Sequence, residues 1–376
     1  MKKNSPEQIV YLLFFTIIIV SFLVFYHGFI RMLIKTRYTN PYINSFNTAL
    51  PNKGEYTWLI HAYVPDHNAG SEWMAHAMNK YLIQEKGEKV NVISNKSTVN
   101  LYERVKIIEK NDIENVKGAI ERARVLLTHH GMEGAAAKTA VLCKKPLVIL
   151  LHDHNRYNGL REYKRLLQDN IYAVCNSEWI KDYYKNLGVS SVVIYPPVRW
   201  QEYTVVSSHE YVTLINTNVN KGGEIFVEIA KRMRETKFLG IKGAYNKQIV
   251  EENISNITYL DSTPYIKDIY SRTDILLMPS KEESWGRTAI EAMSSGIPVI
   301  AHPTPGLKES CGSAGIFCDR NDIDAWVKEI HRLKTDRNYY DRKSSECLAR
   351  AKELDPDKQL EKFSEWIKTL QWKKSD

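Results

Sequence analysis

Among the 376 residues no two cysteines are spaced as Cys-x-x-Cys, and the five present (Cys143, Cys175, Cys311, Cys318 and Cys347) are odd in number. That spacing excludes the usual zinc site. Cys143 and Cys175 lie in or beside apolar runs, where a free thiol behaves as a small buried hydrophobe. The expectation is reduced, structural cysteines, which points to a cytosolic domain. Also missing is a basic block. The net charge of +8 is spread along the chain, with no basic stripe interleaved with aromatics, so a nucleic-acid partner is not expected. Phosphates and acidic headgroups remain compatible with that charge. A hydrophobic content of 43% with 26% charged residues excludes a disordered chain. The length allows two α/β domains plus an extra segment.

Another absence is local. From Ile9 to Ile30 there is no Asp, Glu, Lys or Arg. A helix of that length spans the ~30 Å hydrocarbon core of a bilayer. A signal peptide would show a shorter apolar centre and a small-residue cleavage site, and neither is evident. Residues 1–35 therefore read as a single-pass, N-terminal transmembrane anchor, and the polar residues 36–54 as a linker. Lys2 and Lys3 precede the span, and Arg31, Lys35 and Arg37 follow it. This balance favours a cytosolic C-terminal bulk. Asn-x-Ser/Thr tripeptides begin at Asn95, Asn253 and Asn256 and would be glycan acceptors on the lumenal side.

Beyond the linker, apolar runs of strand length alternate with stretches of helical spacing. TWLIHAYV reads as a buried strand, PDHNAGSE as a loop, and WMAHAMNKYLIQEKG as a helix with Met74, Ala77, Met78 and Leu82 on one face. KVNVIS, ARVLLTHH, KPLVILLHDHN, IYAVCNS and SVVIYPPV supply further strands. Pro196 and Pro197 end this series as a hinge. A second series begins at YVTLINTN and runs through DILLMPS and IPVIAHP, with a helix over DIDAWVKEIHRLKT whose Ile323, Val327 and Ile330 are spaced for burial. The tail is amphipathic through Leu360, Phe363, Trp366, Ile367 and Leu370. Two βαβ series imply two Rossmann-like, doubly wound domains facing a cleft, 55–196 and 197–352, followed by a C-terminal helix in 353–376. In such sheets ligands sit at the carboxyl ends of the strands.

The densest chemistry is in PSKEESWGRTAIEAMSSGIPVI, residues 279–300. Glu283 falls in the loop after a strand, and Glu291 lies eight positions later within the next helix. Gly286 allows close backbone approach. The helix that starts beside it offers unpaired N–H groups and the positive end of its dipole to a diphosphate. Glu291 suits a ribose diol and Glu283 the hydroxyls of a sugar. A bare pair of glutamates at this spacing would be read as exposed helix residues; the complete string changes that reading.

The string resembles the signature of the retaining glycosyltransferases of family 4, which have the GT-B fold. Pro279-Ser280, Glu283, Trp285-Gly286, Glu291-Ala292-Met293, Gly296 and Pro298-Val299-Ile300 all match, with Trp285 where Phe is commoner. The resemblance implies that Glu283 contacts the transferred sugar and Glu291 the nucleotide ribose, with Trp285, Gly286 and Arg287 on the donor. A second match is Asn216-Thr-Asn-Val-Asn-Lys221-Gly222-Gly223, where the family's lysine neutralises the donor diphosphate. Many relatives also carry a Gly-Arg step there; this chain has Leu214-Ile215-Asn216-Thr217, which leaves the phosphates to Lys221 and Arg287. In the first domain Gly70 stands where the family has a glycine-rich loop, and His152 where it often has a histidine facing the sugar. His129 and His130 end a neighbouring strand and at most line the cleft.

The function so implied is transfer of a sugar from a UDP- or GDP-sugar to a glycan, lipid or protein acceptor, with retention and without a metal or other cofactor. No covalent nucleophile is expected: the departing phosphate oxygen helps deprotonate the acceptor while Glu283 and His152 position the sugar. Two alternatives share the architecture. One is a non-catalytic, membrane-anchored sugar-nucleotide-binding or scaffold protein, and the other a nucleotide-sugar epimerase that needs no acceptor.

Overall fold

The computed structural model describes residues 55–374, except 68, 156, 158, 244–246 and 264. The expected anchor and linker lie outside the described residues. No helix among the described residues is long and apolar enough to cross a membrane.

Eight strands form the first sheet: β1 (Glu55–Ala62), β2 (Val90–Lys96), β3 (Leu101–Tyr102), β4 (Val105–Glu109), β5 (Ala123–Thr128), β6 (Leu147–Leu151), β7 (Ile171–Cys175) and β8 (Ser190–Val193). Their order is β3-β4-β2-β1-β5-β6-β7-β8, parallel except for the β3–β4 pair. Parallel strands covered on both faces must be apolar at nearly every position, with alternate residues serving opposite cores. Trp58, Ile60, Leu127, Val148 and Leu150 enter one core, whereas Leu59, Leu126, Leu147, Ile149 and Leu151 enter the other. The first core is roofed by the Gly70–Gln84 helix through Met74, Met78 and Leu82. Ala75 completes that face, and Ala77, expected there, is half-buried. The second core is roofed by the Glu133–Cys143 helix through Ala136, Ala137 and Ala140.

The antiparallel β3–β4 edge escapes a reading based on periodicity, because a two-residue strand has no period to detect. Its turn places Glu103 and Arg104 at positive φ.

The second sheet has six parallel strands: β9 (Tyr211–Ile215), β10 (Phe238–Ile241), β11 (Ile257–Leu260), β12 (Thr273–Met278), β13 (Val299–Ala301) and β14 (Ile316–Phe317), in the order β11-β10-β9-β12-β13-β14. The Ile323–Thr335 helix buries Trp326, Ile330 and Leu333. Ile323 and Val327, expected at the centre of its apolar face, flank it half-buried, because the large Trp326 ring rotates the stripe toward itself. The Arg337–Glu353 helix packs by Cys347 and Ala351 into the core that also holds Ala289, Ile290 and Met293.

After these elements the chain returns to the first domain. The Asp357–Thr369 helix inserts Leu360, Phe363 and Ile367 into the first core, and Trp366 meets Tyr172 edge to face at 6.3 Å. Lys373 and Asn170 then exchange hydrogen bonds, with the Lys373 N–H donating at 2.6 Å and the Asn170 amide donating at 3.0 Å. Phe363 is fully buried. Its replacement by alanine is expected to destabilise the first domain by about 3–5 kcal/mol, read as a lowered denaturation midpoint monitored by tryptophan fluorescence.

Candidate active site

Strands that run parallel all end at the same edge, and the two sheets turn those edges toward one another across a cleft of about 1520 Å³. Of the residues singled out from the sequence, Gly70, His130 and His152 from the first domain and Lys221, Glu283, Trp285, Gly286, Arg287 and Glu291 from the second line it, whereas the buried His129 does not.

Two loops at the ends of β9 and β12 build the second-domain wall. After β9, Asn216 takes a positive φ, and Asn218 caps the next turn by accepting the Lys221 N–H at 2.9 Å. Lys221 thus sits at the entrance to the Gly223–Arg232 helix. Gly222 has φ +88°, and a Cβ there would lie 2.8 Å from the Pro279 carbonyl oxygen. The glycine is required by backbone conformation and by the close approach of the β12 loop. The Lys281 N–H also donates to the Asn220 carbonyl at 2.8 Å, which ties the two loops together. Across that seam the Lys221 ammonium pairs with Glu283, and the Ser280 hydroxyl donates to the same carboxylate oxygen at 3.0 Å.

Gly286 is the second required glycine. Its φ is +94°, and a Cβ would come within 2.5 Å of the Leu307 side chain. From it springs the short Arg287–Met293 helix. One turn along that helix, Arg287 Nε donates to Glu291 at 2.6 Å, and Arg287 Nη2 donates to the Tyr203 hydroxyl at 2.6 Å. The other Glu291 oxygen accepts from the fully buried Tyr270 hydroxyl at 3.0 Å. Burial opposes the Arg287 charge, but Tyr203 and Glu291 more than offset it, so the guanidinium holds its proton more firmly than usual. Its Nη1 is buried without a hydrogen-bond partner among the described residues.

Trp285 faces the other way. It is 2% exposed and stacks on Tyr195, beside the Pro196-Pro197 crossover, with ring centroids 4.0 Å apart and an interplanar angle of 15°. The neighbouring Ser284 fastens this loop to the first domain: its hydroxyl accepts from the Asn176 amide at 2.8 Å and its carbonyl from the Trp179 indole at 2.7 Å. Glu309 adds a carboxylate at the start of the Glu178–Tyr184 helix, accepting the N–H groups of Glu178 and Trp179 at 2.7 and 3.2 Å, the favourable end of the helix dipole for a negative charge.

In the first domain, His152 follows β6. Its carbonyl accepts from Asn176 at 3.2 Å, and its ring Nε2 is buried without a partner among the described residues. The rings of His129 and His130 lie 5.6 and 5.2 Å away. Burial, together with the neighbouring histidines, pushes His152 well below the usual imidazole range and His129 down to about 3. Both rings are therefore neutral near pH 7, and His152, which lines the cleft, can exchange a single hydrogen bond with a ligand hydroxyl but not supply charge. Gly70 opens the Gly70–Gln84 helix at the cleft, and among the described residues nothing lies within 4 Å of where its Cβ would be. Space around it does not demand glycine.

The site also contains residues that sequence reasoning missed. Tyr203 and Tyr270 belong to no motif, their partners lying 84 and 21 residues away, and Ser284 lies inside the 279–300 string without a role that the string reveals.

Comparison with known proteins names the class. The profile of the family described as Glycosyl transferases group 1 matches residues 211–336, most of the second domain. Solved structures extend the likeness to both domains. Anabaena HepE, crystallised with UDP and glucose, superposes with a TM-score of 0.70 at 14% identity, covering 84% of this chain and 100% of that one. A glycosyltransferase from Rickettsia africae gives a TM-score of 0.66 at 17% identity, covering 84% of this chain and 99% of the other. The chain has the GT-B fold, and its second domain is similar to the group 1 glycosyltransferases.

Curated relatives match over shorter stretches. A D-inositol 3-phosphate glycosyltransferase of Corynebacterium urealyticum is 37% identical over 70 residues, which is 18% of this chain and 16% of the relative. The O-antigen chain mannosyltransferase B of Escherichia coli is 32% identical over 25% of this chain and 24% of its own length. An uncharacterized glycosyltransferase of Methanocaldococcus jannaschii is 25% identical over 58% of this chain and 68% of its own. The chain therefore spans about a quarter or less of the first two of these relatives.

Two outcomes follow from the geometry. Gly222→Ala should lower the melting temperature by the equivalent of about 1–3 kcal/mol through strained backbone, as calorimetry will show. The second concerns pH. A histidine with a depressed folded pKa leaves the unfolded chain binding more protons, so stability is full above the unfolded value and falls as pH drops below it. The denaturation midpoint should fall from about pH 6.5 toward pH 3, and His129→Asn should flatten that slope.

Proposed function

We propose that the chain transfers a sugar from a UDP- or GDP-sugar to an acceptor, with retention of anomeric configuration. The observation that carries this reading is the pairing of Lys221 with Glu283 where the ends of β9 and β12 meet. A cation suited to a diphosphate and a carboxylate suited to sugar hydroxyls stand side by side, as a donor spanning both would need. Glu291, oriented by Arg287 and Tyr270, keeps a lone pair on each oxygen for the ribose hydroxyls. The N–H groups at the start of the Gly223–Arg232 helix add positive potential beside Lys221. Together these groups stabilise the leaving diphosphate without calling on a metal. The neutral His152 ring offers to the transferred sugar a nitrogen that has no partner among the described residues.

The neighbour solved with UDP and glucose, and the pneumococcal O-GlcNAc transferase solved with UDP and GlcNAc, support a nucleotide-sugar donor. The uncharged Ile9–Ile30 run supports single-pass membrane attachment and an acceptor delivered at the membrane. All five cysteines are free and buried, in keeping with a catalytic domain on the cytosolic side.

The deciding experiment offers the full-length protein a panel of UDP- and GDP-sugars and follows donor consumption and transfer. One donor should be turned over, and Glu283→Ala and Lys221→Ala should each reduce turnover by about 10²–10³-fold. Interconversion of the donor sugar with no acceptor present would indicate an epimerase instead, and nucleotide-sugar binding with no turnover on any acceptor a scaffold.

A further inference from the structure

We propose that Tyr203 and Arg287 together form a phosphate-binding pair in the donor pocket, an assignment that rests on the nucleotide-sugar reading above. The need for such a pair arises at β9, whose end, Leu214-Ile215-Asn216-Thr217, brings no cation to the site. Arg287 approaches from the β12 side instead. Its Nε is engaged by Glu291 and its Nη2 by Tyr203, while Nη1 is buried with no partner among the described residues. A buried, unpaired guanidinium N–H is costly, and an anionic ligand oxygen would relieve that cost.

Tyr203 adds a second donor by elimination. A guanidinium can only donate, so in the 2.6 Å contact the phenol oxygen accepts and the hydroxyl hydrogen is left for something else. Burial holds that phenol above its ordinary pKa against the opposing pull of Arg287, so the hydrogen stays in place. Donating its lone pair to a cation also strengthens the hydroxyl as a donor in turn. Both side chains line the cleft that holds Lys221. Two donors, one of them cationic and neither offering an acceptor, select a ligand group made only of acceptors. A phosphate oxygen fits and a sugar hydroxyl fits less well. Tyr203 is placed for this by the short Trp200–Tyr203 helix just after the Pro196-Pro197 crossover, where Ser295 donates to its carbonyl at 2.9 Å.

The test measures calorimetric affinities of the full-length protein for UDP, GDP, uridine and guanosine. Tyr203→Phe removes a single hydroxyl and should weaken the bound nucleoside diphosphate about 10-fold while leaving its nucleoside within about twofold. Arg287→Lys keeps the charge but deletes Nη1 together with the Nε contact that orients Glu291, and should weaken the diphosphate by roughly 10–100-fold, more than it weakens the nucleoside. Tyr203→Phe, shown folded by its melting temperature, decides the matter. Diphosphate and nucleoside weakened equally, or neither weakened, overturns the phosphate assignment alone. A wild-type protein that binds neither UDP nor GDP overturns the donor-site reading, and this pair with it.

Discussion

A parallel strand can follow another only after the chain has crossed back over a face of the sheet, so all strands of such a sheet finish at one edge. Everything in the site of this protein follows from that constraint. The loops that leave β9 and β12, adjacent and parallel in one sheet, emerge side by side, although 62 residues separate Lys221 from Glu283. The first sheet obeys the same rule and delivers His129 and His152 from β5 and β6 to the facing edge. The cleft is where the open ends of two such sheets meet.

Within it, four of the second-domain charges stand in two pairs. Lys221 answers Glu283, and Arg287 answers Glu291. Such pairing limits the cost of holding charge away from water, and buried neutral groups then refine the geometry. Tyr270 takes one Glu291 oxygen, and Tyr203 one Arg287 nitrogen. Gly222 and Gly286 let the two loops lie closer than side chains would permit, at backbone angles unfavourable for other residues. The site is thus a pair of charged loops on a rigid base, tied to the opposite domain by Ser284, Trp285 and Glu309.

The motif over 279–300 was legible because its pieces are contiguous: strand, glycine and helix each leave a local signature, and their spacing sets where Glu283 and Glu291 emerge. Lys221 was legible for the same reason. The supporting residues were not. Tyr203 lies in a four-residue helix without pattern, and Tyr270 reads as an ordinary apolar position of a short helix. The tail's apolar stripe was visible in the sequence, but the core that receives it was not. Nothing near Phe363 in the chain indicates that it returns to β1, β6 and β7.

By itself, then, the sequence determined the two alternating series, the glycines at the loop turns and the carboxylates and lysine that carry the chemistry. These depend on local backbone preference and on short-range periodicity. Only the tertiary structure decided which charges face one another, which tyrosines hold them, and that the last helix closes the first domain. Those choices depend on packing between segments remote in the chain, where burial and hydrogen-bond completion, rather than local propensity, set the outcome.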